Sequence, residues 1–348
     1  MAQGRDADLR GAGEDLTERR PGASTFVIFN PASGRGRGGR DLRLWLDLLG
    51  RHLPGVEHAV TTRPAHEAEL AERAIAQGFT TIVAAGGDGT WSHVADRLLS
   101  SGKPGLRFGL LPSGTGNDFG RNLGLSRRSP EEAVRVLARA EPRAVDVGRV
   151  LTPSVRADRP DAEFRAPRYF LNVVGFGFDV AVIDAARGAR FLRGELLYKV
   201  TALQQLFRFP GFQVQVADAE GGRRSGRQLM LTVSNGCFFG GGFPIAPGAT
   251  VDDGQLHACL IGDAGPWERF RLFNLAEKGR HVRSPRVALQ GSTVFHIRSQ
   301  PAPRFEIDGD VYRSAGEEVT VEVIPGALQV MAAPSSRQER AAGEGSRA

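Results

Sequence analysis

Between residues 25 and 147, short apolar runs alternate with segments whose apolar residues recur at helical spacing. Residues 25–29, 56–62, 81–85 and 107–111 read as strands. The stretches between them read as helices: Leu42, Trp45, Leu46 and Leu49 share one face, residues 65–77 form a second helix, and Trp91, Val94, Ala95, Leu98 and Leu99 line a third. Ser129-Pro130-Glu131-Glu132 is a capping box with proline at the first helical position, opening a helix through Val134, Leu137 and Ala138. This alternation predicts a parallel sheet. From Val147 onward the pattern changes to strict alternation, as in residues 212–216 and 319–323, with further short strands at 228–233 and 294–298. That half predicts a β-sandwich or barrel. One interruption, residues 191–212, sets Leu192, Leu196, Leu197, Val200, Leu203, Leu206 and Phe207 among Arg190, Arg193, Lys199 and Arg208. Such a helix could lie on an anionic bilayer, but packing on the sheet with its arginines in water is the reading adopted.

Glycine-rich strand-to-helix turns carry the candidate chemistry. Gly86-Gly87-Asp88-Gly89-Thr90 follows a buried strand and opens a helix, so its N–H groups can cradle phosphate oxygens at a favourable dipole end. Asp88 suits a Mg²⁺ that bridges phosphates. A turn with a capping aspartate is the plain alternative. Pro112-Ser113-Gly114-Thr115-Gly116-Asn117-Asp118 leaves the same end of the next strand, the carboxyl end where open α/β sheets bind ligands. A further turn, residues 30–39, contains Gly34-x-Gly36-x-x-Gly39 and has Glu57 at the distance of a ribose contact. A Gly/Arg repeat yields this spacing by chance and Asn30-Pro31 distorts the strand end, so dinucleotide binding is not adopted. In the second half, Asn235-Gly236, the glycines 240–242, residues 247–254 and Asp308-Gly309-Asp310 each pass alone as turns; Asp-Gly between short strands reads as a hairpin.

The 348 residues are 41% hydrophobic, enough for two cores, and Lys103, Lys199 and Lys278 are the only lysines among 45 basic residues, so the net charge of +6 is carried by arginine. That balance favours anionic partners: phosphates, an acidic membrane surface or nucleic acid. No basic stripe is interleaved with aromatics, which makes nucleic acid the weakest and sets it aside. Cys237 and Cys259 match no metal spacing, no signal-peptide core precedes them, and no run of about 18 apolar residues occurs. A cytoplasmic protein with at most peripheral membrane contact is expected. Residues 1–22 and 334–348 read as disordered tails.

These stretches together resemble the diacylglycerol kinase catalytic-domain family, of the soluble bacterial lipid kinase type. The resemblance rests on Asn30-Pro31-x-Ser33-Gly34, the turn 86–90, residues 112–119, Phe170-x-Asn172-x-x-Gly175-x-Gly177-x-Asp179, Asn235-Gly236 with Gly240 to Gly242, Asp253-Gly254 and Asp308-Gly309-Asp310. It implies an α/β plus all-β fold: a Rossmann-like nucleotide-binding domain over 23–147, and a β-sandwich domain for the lipid over 148–333 whose last strand could return to the first domain. The active site would lie in the cleft between them. It implies an ATP-dependent kinase, with Mg²⁺, that phosphorylates diacylglycerol or a related lipid alcohol at the inner face of the membrane; a homodimer is compatible with it. Nucleotide contacts carry over onto Thr61 or its neighbour Thr62, Gly86, Gly87, Asp88, Gly89, Thr90, Trp91, Ser92, Gly114, Thr115, Asn117 and Asp118. The base carries over onto Asp310, supported by Asp308, where the family has glutamate in place of Asp310. A structural Mg²⁺ carries over onto Asp253 with the carbonyls of Thr250 and Gln255, beside the phosphate-bridging Mg²⁺ of Asp88. His93 replaces a family glutamate and is expected on a solvent-facing helix surface, while His66 and His281 are expected to be structural. An NAD kinase-like enzyme and a non-catalytic nucleotide or lipid sensor are the alternatives.

Overall fold

The computed structural model describes residues 24–125, 129–157, 163–164, 166–188 and 195–332. The expected tails and the start of the apolar, basic helix lie outside the described residues. The chain divides into two compact units, residues 1–145 with 327–348, and residues 146–326.

In the first unit β1 (Thr25–Phe29), β2 (Glu57–Val60), β3 (Thr81–Gly86) and β4 (Arg107–Pro112) are parallel and lie in the order β2-β1-β3-β4. Residues 329–331 add a further parallel strand beside β4. β3 is buried along its whole length, which explains its unbroken apolar run: helices cover both faces of a parallel sheet. These are α1 (Ser33–Arg40), α2 (Leu42–His52), α3 (His66–Ala76), α4 (Asp88–Ser100), the short α5 (Asp118–Asn122) and α6 (Pro130–Arg139). On one face Val27, Phe29, Val83, Ala85 and Leu111 pack against Trp45, Leu48 and Leu49 of α2 and Val134 and Leu137 of α6. The Ser129 hydroxyl accepts the Glu132 N–H at 3.3 Å, and Pro130 opens α6.

β5 (Glu141–Val150) leads from the first unit into β6 (Ser154–Arg156), β7 (Glu163–Phe164), β8 (Arg168–Phe170), β9 (Val173–Gly177), α7 (Phe178–Gly188) and α8 (Glu195–Arg208). β10 (Phe212–Asp218), β11 (Arg223–Ser234), the small pair β12 (Phe238–Phe239) and β13 (Phe243–Pro244), β14 (Leu256–Gly262) and α9 (Pro266–Ala276) follow. β15 (Val287–Ser292), β16 (Val294–Arg298), β17 (Arg304–Ile307), β18 (Asp310–Ser314) and β19 (Glu318–Ala332) complete the order.

All pairings within this second unit that bear on the site are antiparallel: β9 runs between β11 and β17, β17 continues to β18 and β6, and β14 joins β11 to β15. Alternation sorts the side chains into two cores. Leu231 and Val233 of β11 join Phe176, Phe295, Phe305, Tyr312 and Val321 inside the sandwich, while Met230, Cys259 and Ile261 face the other way. There Phe178 and Val182 of α7, Ala202 and Leu206 of α8 and Leu272 of α9 cover them. α8 therefore packs on the sheet by one side, and Leu203 and Phe207 on its other side stay exposed.

Candidate active site

Three turns at the carboxyl ends of β1, β3 and β4 are locked together by backbone. Asn30 N–H donates to the Ala85 carbonyl at 2.9 Å, and the Ser113 and Gly114 N–H groups donate to the Gly86 carbonyl at 2.9 and 3.1 Å. A Cβ on Gly114 would lie 2.5 Å from the Gly87 Cα, so the second and third turns touch main chain to main chain and tolerate only glycine there. A Cβ on Gly86 would strike the Thr90 side chain at 2.5 Å. The first turn closes over both. Asn30 Nδ2 donates to Thr90 Oγ1 at 2.9 Å, the Ser33 and Ser113 hydroxyls meet at 2.6 Å, and Arg37 donates to the Gly114 carbonyl at 2.8 Å. Gly34, Arg35 and Gly36 run left-handed at φ 56°, 63° and 82°, and this bend lets Arg37 reach back.

Gly87 sits extended before α4 and no side chain caps that helix, so its leading N–H groups are available to an anion. A Cβ on Gly89 would meet nothing within 4 Å: the space in front of this turn is open. Asp88 Oδ1 accepts the Phe119 N–H at 3.1 Å, which ties the carboxylate to the start of α5. Asn117, left-handed at φ 53° and 5% exposed, donates to the Gly114 carbonyl, and its buried Oδ1 has no hydrogen-bond partner among the described residues. Asp118 is buried with Arg121 at 3.5 Å. Asn117 Oδ1 and the two carboxylates are hard oxygen donors of the kind that suits a Mg²⁺ on phosphates. Thr115 is exposed, and Thr61, buried, closes β2 with its N–H on the Phe29 carbonyl at 2.8 Å.

Two residues carried over from the resemblance as nucleotide contacts, Trp91 and Ser92, are buried. Trp91 is fully buried, its indole donates to the Ala84 carbonyl at 3.0 Å and its N–H to the Gly87 carbonyl, so it has no donor left for a nucleotide and serves the core. Ser92 is 2% exposed, and its buried hydroxyl, like Asn117 Oδ1, has no hydrogen-bond partner among the described residues. Thr62, the alternative to Thr61, is engaged with His66 Nδ1 through its N–H and its hydroxyl, both at 3.2 Å. Glu57 lies in register with Phe26, at the opposite end of the sheet from the turns, which removes the ribose contact of a dinucleotide fingerprint. His93 is not on a solvent-facing surface: its Nδ1 lies 2.7 Å from Glu67 Oε1 of α3, and both side chains are largely buried.

In the second unit, Asp308-Gly309 is a two-residue hairpin turn, both residues at positive φ (46° and 95°), joining β17 to β18 with Ile307 opposite Asp310. The Asp308 carboxylate accepts the N–H groups of Leu171, Asn172 and Val173 at 2.8, 2.9 and 3.1 Å, which anchors the turn to the start of β9. Asp308 is thus a brace. Asp310 pairs with Arg156 of β6. Asn235, fully buried, donates to the carbonyls of Asp146 and Leu171 at 2.9 and 3.0 Å, so this family marker is also a brace.

The Asp253 carboxylate organises its own loop. It accepts the N–H groups of Thr250 (3.2 Å) and Gln255 (3.0 Å) and lies 3.1 Å from His257 Nε2. Each carboxylate oxygen carries two lone pairs, so these contacts leave acceptor capacity for the structural Mg²⁺ that the resemblance assigns to Asp253 with the carbonyls of Thr250 and Gln255. No group of three or more His, Cys, Asp or Glu side chains placed to hold a metal ion occurs among the described residues. The loop holds itself by hydrogen bonds. A Mg²⁺ tying this loop is expected to raise the melting temperature in calorimetry and EDTA to lower it; no response to either would reject the metal.

Beneath the hairpin the fold hides a pair that sequence reading missed. Glu306 is fully buried, its Oε2 accepts the Gly309 N–H at 2.6 Å, and its Oε1 has no hydrogen-bond partner among the described residues. Asp179 is buried too, with Oδ2 equally unpartnered. Both oxygens converge on Gly175, where a Cβ would stand 1.6 Å from Asp179 Oδ2 and 2.9 Å from Glu306 Oε1. Burial raises the Asp179 carboxyl to about 7. Burial, then the charge of Asp179, with smaller contributions from Asp308 and Asp310, pushes Glu306 well above the usual range. Burial and their mutual repulsion thus favour the protonated carboxyls. The unfolded chain releases these protons near pH 4, so between about pH 4 and 7 it binds fewer than the folded chain. Stability therefore falls as pH rises through that window, by up to about 1.4 kcal/mol per pH unit for each proton. Glu306→Gln supplies the missing donor permanently and is expected to flatten this fall, melting later than wild type at pH 8 and alike near pH 4. An unchanged slope would reject the protonated pair. Glu306 gave no signal in sequence because, between Phe305 and Ile307, it reads as the outward residue of an alternating strand.

Residues 24–150 match the family described as diacylglycerol kinase catalytic domain, and residues 172–332 match the YegS C-terminal NAD kinase beta sandwich-like domain. A protein of Mycobacterium tuberculosis named diacylglycerol kinase is 29% identical over 269 residues, covering 77% of this chain and 82% of that one. The Xanthomonas euvesicatoria protein named "Probable lipid kinase YegS-like" is 29% identical over 311 residues, covering 87% and 94%. A crystal structure described as a diacylglycerol kinase from Bacillus anthracis superimposes with a TM-score of 0.65 over 89% of this chain and 97% of that chain, at 18% identity, a likeness of fold. No helix among the described residues is long and apolar enough to cross a membrane.

Proposed function

Since the chain belongs to the diacylglycerol kinase catalytic-domain family, with that domain followed by a YegS-type sandwich, we propose that it transfers the γ-phosphoryl group of Mg²⁺-ATP to the hydroxyl of diacylglycerol or a related lipid alcohol. The observation that carries this reading is the main-chain contact of Gly87 with Gly114, which holds two glycine-rich turns against each other at the start of α4, a helix that no side chain caps.

Phosphoryl transfer needs alignment and charge stabilisation more than covalent help from the protein. The first unit supplies backbone N–H groups for the phosphates and hard oxygens for the Mg²⁺ that arrives with ATP. Asp310 is the base in this proposal. The lipid oxygen attacks the γ-phosphorus, the bond to the β–γ bridging oxygen breaks, ADP departs, and the hydroxyl proton passes to the Asp310 carboxylate. Arg156 orients that carboxylate, and Asp308 and Glu306 hold its hairpin from beneath. Peripheral contact with the cytoplasmic face of a membrane follows from an acceptor that resides in bilayers.

Incubation with [γ-³²P]ATP, Mg²⁺ and mixed micelles containing diacylglycerol is expected to put label into an organic-extractable product. Label confined to water-soluble acceptors, NAD included, would reject the lipid acceptor, and ATP binding without turnover on a lipid panel would favour a sensor.

A further inference from the structure

Exposed large apolar side chains are concentrated on one side of the second unit. Of the six that the described chain exposes, four lie on α8 and α9: Leu203 (44%), Phe207 (48%), Trp267 (80%) and Phe270 (39%). They form one patch. The Phe207 and Trp267 rings meet edge to face at 6.3 Å across the two helices. The buried sides of the same helices, through Leu206 and Leu272, are already satisfied by the outer core, so the exposed residues contribute nothing to that packing. An apolar patch of this kind on a folded unit marks a surface that meets something.

Its charge indicates what. The carboxylates on α9 and just before it are engaged: Glu268 with Arg286 at 2.9 Å, and Asp263 with Arg227 at 2.8 Å and with Arg269. Arg208 and Arg271, both exposed and next to Phe207 and Phe270 in the chain, have no carboxylate partner among the described residues. Aromatic rings flanked by uncompensated guanidiniums are the inventory of an interface with anionic lipid. The rings enter the boundary between headgroups and acyl chains, and the arginines stay with the phosphates.

We propose that the α8–α9 face, with Trp267 as its anchor, docks on the surface of an anionic bilayer. The choice of a bilayer over a protein partner rests on the lipid-acceptor reading above, and the surface gives that reading its route to a membrane-resident substrate.

The fold provides its own reporter. Trp45 and Trp91 are buried at 2% and 0% exposure, so Trp267 is the only tryptophan that a vesicle can touch. With the full chain and vesicles of equal parts phosphatidylglycerol and phosphatidylcholine, tryptophan emission is expected to shift to the blue; pure phosphatidylcholine should shift it less. Trp267→Phe should abolish the shift. Phe207→Ser with Trp267→Ser should weaken vesicle cosedimentation by about tenfold for each ring removed, at unchanged melting temperature and ATP affinity. Arg208→Ala with Arg271→Ala should remove the preference for the anionic vesicles. No shift in wild type, a shift that survives in Trp267→Phe, or undiminished cosedimentation of the serine variant overturns the proposal. Self-association through this face in buffer, with no response to vesicles, overturns it in favour of a protein partner. Vesicle binding without labelled lipid in the kinase assay counts against the kinase and leaves the docking surface standing. Phosphorylation of a short-chain, monomeric diacylglycerol with no emission shift does the reverse.

Discussion

Asp310→Asn is expected to lower lipid phosphorylation by about 10²–10⁴-fold, the range for removal of a general base, with ATP affinity unchanged. The substitution preserves size and can still accept a hydrogen bond from Arg156, so the ion-paired geometry at the start of β18 persists while the basicity is lost. The hairpin itself is insulated from the change, because Asp308 takes three N–H groups and Glu306 takes the Gly309 N–H from beneath. Steady-state turnover with a nucleotide titration separates the two effects. Wild-type turnover in Asp310→Asn would reject the base assignment. Asp310→Glu, which adds the methylene that the family's own residue carries, is expected to remain active and measures whether reach limits the native enzyme.

A comparable loss is expected from Gly114→Ala, for a different reason. The new methyl would stand 2.5 Å from the Gly87 Cα and 2.6 Å from Asn117 Oδ1, and main chain cannot yield as a flexible side chain does. Overpacking of this kind costs about 1–3 kcal/mol, and the strain is relieved only by parting the two turns. A misplacement on the order of 1 Å at a reacting centre costs about 10²-fold in rate, and here it would also loosen Mg²⁺-ATP. Isothermal titration with ATP and Mg²⁺ should show weaker binding, unlike Asp310→Asn. Wild-type nucleotide affinity in Gly114→Ala would mean that the contact between the turns does not shape the site. Asp88→Ala should weaken the Mg²⁺-ATP complex as well, since its carboxylate joins the start of α4 to α5.

The parts of this site that were legible in sequence are those governed by local rules. A glycine run after a buried strand, a serine before Pro-Glu-Glu and an Asp-Gly between short strands each carry their geometry within a few residues, and β3, α6 and the β17–β18 hairpin formed where those signals lie. The missed features depend on contacts far apart in the chain. Asn30 reaches Thr90 across 60 residues, His93 reaches Glu67 on another helix, and Glu306 meets Asp179 through a strand pairing. Trp91 shows a related limit: its place on the apolar face of α4 is visible in the pattern, and a resemblance that transfers a whole stretch cannot separate its inward residues from its outward ones. Asp253 kept its place in the loop, but which N–H groups its carboxylate accepts, those of Thr250 and Gln255, is a property of backbone torsion and not of composition.

The return of residues 329–331 to the edge of β4 bears on how the protein is made. The glycine-rich turns sit on strands formed early in synthesis, but their sheet gains its last member only after all of residues 146–326 have left the ribosome. Domains generally fold as units during translation. Here the first unit is interrupted, so an emerging chain carries an open, hydrogen-bonding sheet edge at β4 throughout synthesis of the second unit. Chaperone demand during translation, and sensitivity of nascent chains to stalling before residue 329, are therefore built into the topology.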